Sequence, residues 1–480
     1  MKSMQSLDHE RQAEKDLLKD LPREPLGREQ GKFDLILETC QRLLRRGAIT
    51  NIGKMLSRMH PADIAKLVGH LSSAKEKRTV FELVRPDTPR GQVLSELDAG
   101  NIESVLSEVP PSEVAWLLKD LGPDDVAYIL GVLDEARAGE ILGLMKTEDS
   151  TEVAGLLKYA KDTAGGIMTT EFFALTEETT AQEAIQRLQQ ATDAEMVFYI
   201  YVTDKDDHLA GVLSLRQLLT VPPLTPVQHL MTRDVISVTV DMDQEEVARQ
   251  VANYNLLAIP VVEKDNRLVG IITVDDVVDV IREEATEDML KMAGAAEENP
   301  TIEFSSVQAA THRFPWLFTN LVGSLVSGAV LWWFRYTLQE VVAIIIFIPV
   351  IAAMAGNVGI QSSTLIIRGL AIGRVEASDI WKVVSREMKV GLLLGVVCGG
   401  LLFSVGWLWH GGAFLGIVVG VSLLISFLVS AGMATLTPFV LKRTGIDPAV
   451  AAGPFVMTVM DLTGITIYLT LATILLDELR

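Results

Sequence analysis

Apolar and polar positions follow three different rhythms along this chain. From residue 314 onward five long apolar stretches succeed one another, at residues 316–333, 341–367, 390–410, 413–441 and 449–476. At about 1.5 Å of rise per helical residue, roughly twenty such positions cross a bilayer. Before residue 301 no apolar run approaches that length. There, residues 33–158 carry short amphipathic patterns, HPADIAKLVGHL, PPSEVAWLLKDL, GPDDVAYILGVL and EARAGEILGLM, each opening on an acidic or proline-marked start. Three of them recur at a period of about a dozen residues and predict a small all-α superhelix. Residues 1–32 are polar and highly charged, the composition of a disordered tail.

The third rhythm is a duplication within residues 161–281. GIMTTEFFALTEETTAQEAIQRL answers HLMTRDVISVTVDMDQEEVARQV, and YIYVTDKDDHLAGVLSLRQLL answers AIPVVEKDNRLVGIITVDDVV, so Met168 corresponds to Met231 and Gly211 to Gly270. Each copy (161–222 and 223–281) predicts a short strand, an amphipathic helix, two β-branched strands around a polar turn, and a closing helix. The pattern resembles a tandem pair of CBS domains, an α+β regulatory module. In the nucleotide-binding members of that family a Ser/Thr followed three residues later by Asp contacts the ribose. Thr273 and Asp276 match; Ser214 and Gln217 in the first copy lack the acid. The resemblance therefore implies at most one complete site for an adenine nucleotide such as ATP.

Charge sharpens this division. The chain carries 42 Lys/Arg against 62 Asp/Glu, and the portion after residue 301 is nearly balanced, with ten basic and nine acidic residues, so the acidity belongs to the first portion. That argues against nucleic acid or anionic lipid as a partner and suits a cation-rich one. The first twenty residues hold no apolar core of a secretory signal. Arg368, Arg374, Lys382, Arg386 and Lys389 after the second stretch, and Lys442 and Arg443 after the fourth, mark those loops as cytoplasmic. The N-terminus is then expected in the cytoplasm and the C-terminus outside. Cys40 and Cys398 are the only cysteines, which excludes a disulfide framework and a thiolate metal site.

Asp461 is the one carboxylate near the middle of the last apolar stretch. An ionised Asp there costs about 2.5–3.5 kcal/mol, and none of the five stretches contains a basic residue to pair with it, so a cation or proton site is expected. The second stretch is interrupted by Pro349, Gly356 and Gly359, and Asn357, Gln361, Ser362, Ser363 and Thr364 bring polar atoms to membrane depth. Such a helix lines water. Gly391, Gly395 and Gly399 in the third stretch and Gly412, Gly416 and Gly420 around the start of the fourth are packing signals. Five helices make a thin wall for a pore, whereas a twofold dimer supplies ten helices and two copies of Asp461. Facing carboxylates suit a hard divalent cation, and Mg²⁺ retains most of its waters beside few acids. The water shell then falls to Asn357 and Gln361 and to the stretch Gly453, Pro454, Met457 and Thr458. This chemistry leaves Mn²⁺, Co²⁺ and a proton open.

Residues 282–300 link the duplicated module to the first apolar stretch and carry Glu283, Glu284, Glu287 and Asp288 within two turns of predicted helix. Their mutual repulsion calls for a cation or a basic partner. The order of helical superhelix, CBS pair, EEATEDMLKMAG connector, PVIAAMAGNVGIQSSTLIIRGLA and GIDPAVAAGPFVMTVMDLTGITIYL resembles the MgtE-type magnesium channels over nearly the whole chain. The resemblance implies a homodimeric Mg²⁺ channel of the bacterial inner membrane, with residues 314–477 forming the pore domain and Asp461 as the pore aspartate. It also implies closure by cytosolic Mg²⁺ bridging the superhelix (Asp120, Asp124), the second CBS copy (Asp276, Asp279) and the connecting plug (Glu284, Glu287, Asp288). A proton-coupled transporter of Co²⁺ or Mn²⁺ is the rival, although it normally shows repeated membrane halves. An intramembrane metalloprotease would need a His-Glu-x-x-His motif, which is missing.

Overall fold

A computed structural model of the 480-residue chain describes residues 30–84, 90–191, 199–294, 306–410, 413–451 and 453–475. The expected tail lies almost wholly outside these residues, as does the end of the connector. The chain forms two compact units, one comprising residues up to Val280 and the other Ile281–Glu298 with Ser305–Arg480.

The first unit opens with ten described helices, from Gln30–Arg45 to Thr147–Leu156. Their starts follow from side chains that satisfy free backbone N–H groups. Asp98 accepts from the Asn101 N–H at 2.8 Å and Asp134 from the Arg137 N–H at 3.0 Å, while Pro61, Pro111 and Pro123 occupy first turns, where a missing N–H costs nothing. Arg137 also ties distant helices together. Its guanidinium donates to the carbonyls of Ser107 at 3.0 Å and Val109 at 2.7 Å, and to that of Leu106. The apolar stripes meet in one core that includes Ile64, Val68 and Ile102 and continues into the duplicated module through Met168 and Val247.

That module holds two three-stranded sheets of equal topology. In the first, β1 (Ala174–Thr176) runs parallel to β2 (Tyr199–Thr203), which pairs antiparallel with β3 (Leu209–Ser214); β4 (Val238–Thr239), β5 (Ala258–Val262) and β6 (Leu268–Thr273) repeat the plan. Asp207 and Asn266 take left-handed conformations in the two hairpin turns, with φ of 63° and 69°, as short polar side chains permit. The copies exchange their leading segments. Thr169 bonds to Ile271 at 2.8 and 2.9 Å, and Thr232 bonds to Val212 at 2.8 and 3.0 Å. A Cβ on Gly270 would meet the Met168 sulfur at 2.7 Å, and one on Gly211 would meet that of Met231 at 2.5 Å. The corresponding Met and Gly positions therefore pack across copies rather than within one.

Helix α1 (Val274–Ala293) begins in the first unit and ends in the second. Among its described residues the second unit contains five helices long and apolar enough to span a membrane: α2 (Ser306–Trp333), α3 (Ile348–Ala371), α4 (Ile380–His410), α5 (Ala413–Thr444) and α6 (Pro454–Ile474). Several boundaries differ from the expected stretches. Helix α2 starts ten residues before 316, and α4 starts at Ile380 rather than 390, so Lys382, Arg386 and Lys389 ride on its first turns. Apolar runs mark the hydrocarbon depth, whereas helices continue beyond it, with long basic side chains reaching toward water. The last stretch is broken. A short helix (Pro448–Ala451) precedes Gly453, and α6 starts afresh at Pro454. Helices α4 and α5 lie back to back through the glycines. A Cβ on Gly399 would sit 2.6 Å from the Gly420 carbonyl oxygen, and one on Gly406 3.0 Å from the Gly416 Cα. Gly412 lies outside the described residues.

Candidate functional site

Asp461 lies on α6 against α3 at Gly356, where a Cβ would collide with its Oδ1. That oxygen is shut off from solvent and, among the described residues, has no hydrogen-bond partner. Gly359 and Gly464 allow the same two helices to touch: a Cβ on the first would meet Met460 Cγ at 2.6 Å, and one on the second would meet Ala355 Cβ at 2.9 Å. Asn357 and Gln361 occupy the exposed face of α3, and Met457 is 39% exposed on α6. Thr458 turns to α2 instead, donating from Oγ1 to Asn320 Oδ1 at 3.0 Å beside Gly323. Gly453 is buried, and Pro454 supplies the first turn of α6. Asp461, Gly356, Asn357 and Met457 thus share one neighbourhood; Thr458 anchors the first membrane helix. Asn320 gives no signal in sequence beyond a single amide in an apolar run.

The acidic residues fall into two groups. In the first unit, Asp124 is half-buried; burial pushes its carboxyl up, backbone N–H groups and the Thr169 hydroxyl pull it down, and Asp275 raises it again. One of its two oxygens, Oδ1, has no hydrogen-bond partner among the described residues. Asp120 is 86% exposed beside Lys119 at 3.9 Å. Asp276 accepts from the Thr273 hydroxyl at 2.7 Å, a local bond at the start of α1, and Thr273 is buried. Burial and the nearby Asp279 raise Glu96. Asp275 and Glu96 were not singled out from sequence.

In the second unit the connector end of α1 meets the loop before α6. Lys291 Nζ lies 2.6 Å from Asp447 Oδ2 and 2.6 Å from Glu287 Oε1. Burial works against the ammonium, but both carboxylates hold its pKa above the usual lysine value. Burial and then Asp447 push Asp288 up, with Lys291 opposing. Glu284 is half-exposed one turn earlier. Next to Lys291, Met292 packs with Ile367 and Ala449, and its carbonyl faces Gly453. The basic partner expected for the connector acids is therefore partly within the connector itself. Asp447 was visible in sequence only as part of the GIDPAVAAGP motif.

Among the described residues, five helices long and apolar enough to span a membrane, joined to a helical domain and a duplicated α+β module, define a multi-pass membrane protein. Family comparison matches residues 348–471 to the MgtE divalent cation transporter domain, 59–162 to the MgtE intracellular N domain, and 164–223 and 227–283 to CBS domains. The magnesium transporter MgtE of Thermus thermophilus is 42% identical over 323 residues, covering 66% of this chain and 71% of its own. That of Bacillus subtilis is 38% identical over 322 residues, covering 67% and 71%. A crystal structure of the cytosolic domain of the Mg²⁺ channel MgtE in complex with ATP aligns with 36% identity and a TM-score of 0.47, over 51% of this chain and 99% of that one. The chain belongs to the MgtE family.

Proposed function

We propose that this protein is a homodimeric Mg²⁺ channel of the cell's inner membrane, with its N-terminus in the cytoplasm and its C-terminus outside, that admits Mg²⁺ and is closed by Mg²⁺ from the cytosolic side. The observation that carries this reading is the Asp461 Oδ1, enclosed beside Gly356 in an apolar helix without a hydrogen-bond partner among the described residues. A twofold axis along α3 and α6 brings two such carboxylates together, with Asn357, Gln361 and Met457 around them. Hydrated Mg²⁺ meets these groups through its waters, since it gives up its shell reluctantly.

The sensor comprises Asp120, Asp124, Asp276 and Asp279 with Glu284, Glu287 and Asp288. Cations offset the repulsion among these carboxylates, so rising Mg²⁺ favours the state in which they are close. Support comes from the raised pKa values of Asp124 and Asp288, which mark carboxylates crowded by burial and by other acids. ATP binds the CBS pair at Thr273 and Asp276 and tunes that equilibrium. Reconstituted protein is expected to pass Mg²⁺ passively and to lose flux on Asp461→Ala. Unchanged flux in that variant, or flux that requires a pH gradient, would overturn the channel reading.

A further inference from the structure

A second acid is buried among the membrane helices. Glu387 lies near the start of α4, is 7% exposed, and accepts a hydrogen bond at 3.0 Å from the hydroxyl of Ser362 on α3, itself 4% exposed. Among the described residues, no other side-chain hydrogen bond runs from α3 to a neighbouring membrane helix. One turn beyond Glu387, Gly391 brings α4 against α5, where a Cβ would meet Ala431 Cβ and the Phe427 carbonyl oxygen, both at 3.1 Å. Met388, next to Glu387, also meets α5: a Cβ on Gly432 would lie 3.1 Å from its sulfur. Glu387 is thereby held in a fixed place between α3 and α5.

Polar side chains behind α3 otherwise do little to hold it. Ser363 on α3 and Ser422, Ser426 and Ser430 on α5 are fully buried, with hydroxyls that have no hydrogen-bond partner among the described residues. The rest of that contact is apolar, through Val358, Leu423, Phe427 and Ala431. Such surfaces resist separation but resist rotation poorly, because apolar attraction has no direction. A hydrogen bond has one. At about 100° per residue, Ser362 sits roughly 100° around α3 from Gln361 and roughly 140° from Asn357. The tether is on the back of the helix whose front carries the two amides.

We propose that Glu387 is a positioning residue for conduction: its bond to Ser362 fixes the rotation of α3 about its own axis, and with it the aim of Asn357 and Gln361 along the ion path and of Gly356 toward Asp461. This rests on the channel reading above. The role needs a hydrogen-bonding group at residue 387 rather than a charge.

The test uses full-length protein in liposomes, with Mg²⁺ and Mn²⁺ influx measured per dimer. Glu387→Gln keeps a partner for Ser362 and is expected to retain flux and Mg²⁺ over Mn²⁺ preference within about twofold. Glu387→Met, of similar length but unable to bond, is expected to lose about tenfold in Mg²⁺ flux and much of the preference. Ser362→Ala should change the preference in the same direction, and the double variant should be no worse than Glu387→Met alone. If Glu387→Gln falls as far as Glu387→Met, the charge itself acts and the proposal is wrong. If Glu387→Met lowers only the yield of folded dimer while flux per dimer and preference hold, the residue is merely structural and the proposal is equally wrong. Asp461→Ala, run beside these, judges the channel reading separately, since its outcome does not depend on Glu387.

Discussion

Gly453→Ala adds one methyl group where the connector meets the start of α6. The new Cβ would lie 2.7 Å from the Met292 carbonyl oxygen and 3.4 Å from its carbonyl carbon. To regain ordinary contact the two must part by about 0.7 Å, and a backbone carbonyl near the end of a helix has no rotamer to escape into. Overpacking of this kind costs about 1–3 kcal/mol. The cost applies only while the connector is docked, so it shifts the docked-to-undocked ratio by about 5- to 150-fold. In the proposed channel the docked state is closed. Giant liposomes or excised patches titrated with cytosolic Mg²⁺ should therefore show half-closure at a higher concentration than in the parent, by about fivefold or more if one ion drives closure and by the corresponding root of that factor if several do. Gly328→Ala, where a Cβ meets nothing within 4 Å, serves as the control. Closure curves that superimpose for Gly453→Ala and the parent would refute the reasoning, as would a shift to lower Mg²⁺.

Three further expectations concern the first unit. The Asp204 carboxylate accepts from His208 at 3.0 Å and raises the imidazole pKa above its ordinary value, while its own falls; the pair stabilises the fold fully between the unfolded pKa values of the aspartate and the histidine, and loses that contribution as pH rises through the raised imidazole value or falls through the lowered carboxyl one. Histidine NMR should show the raised midpoint returning toward normal in Asp204→Asn, and an unmoved midpoint would sink the assignment. Arg137→Ala leaves three backbone carbonyls without their donor and should cost about 1–3 kcal/mol, read as lower thermal stability of the intact protein; Arg137→Lys should recover only part, because one ammonium cannot replace a fork. Gly270→Ala presses against the Met168 sulfur and the Thr169 carbonyl oxygen at 2.8 Å and should destabilise the protein by about 1–3 kcal/mol, whereas a neutral result would deny the exchange between copies.

Much of the architecture was legible because burial writes itself into sequence periodicity. Each of the five apolar runs holds a membrane-length helix, although their boundaries shifted, the strands around DKDDH and EKDNR formed, and the small-residue spacing brings Gly399 against Gly420. What the pattern could not carry was pairing across distance. Met168 and Gly211 stand in the same repeat, yet the packing joins Met168 to Gly270 of the other. Thr458 reads as a polar group near the pore, yet its hydroxyl is committed to Asn320. Glu387 stood outside the expected third stretch because Arg386 and Lys389 around it resembled loop, although the helix had begun seven residues earlier. Lys291 was one basic residue in an acidic run, and only the fold brings Asp447 to it.

The exchange between the two CBS copies also governs how the chain can be made. Met168 leaves the ribosome about a hundred residues before Gly270, a delay of about 5–20 s at ordinary synthesis rates. During that interval the Thr169 segment has no strand to join, and β3 has yet to receive the residues around Thr232. The copies cannot mature in turn; they close on each other once both exist. A protein with a membrane half still to come must keep that unfinished surface from foreign strands.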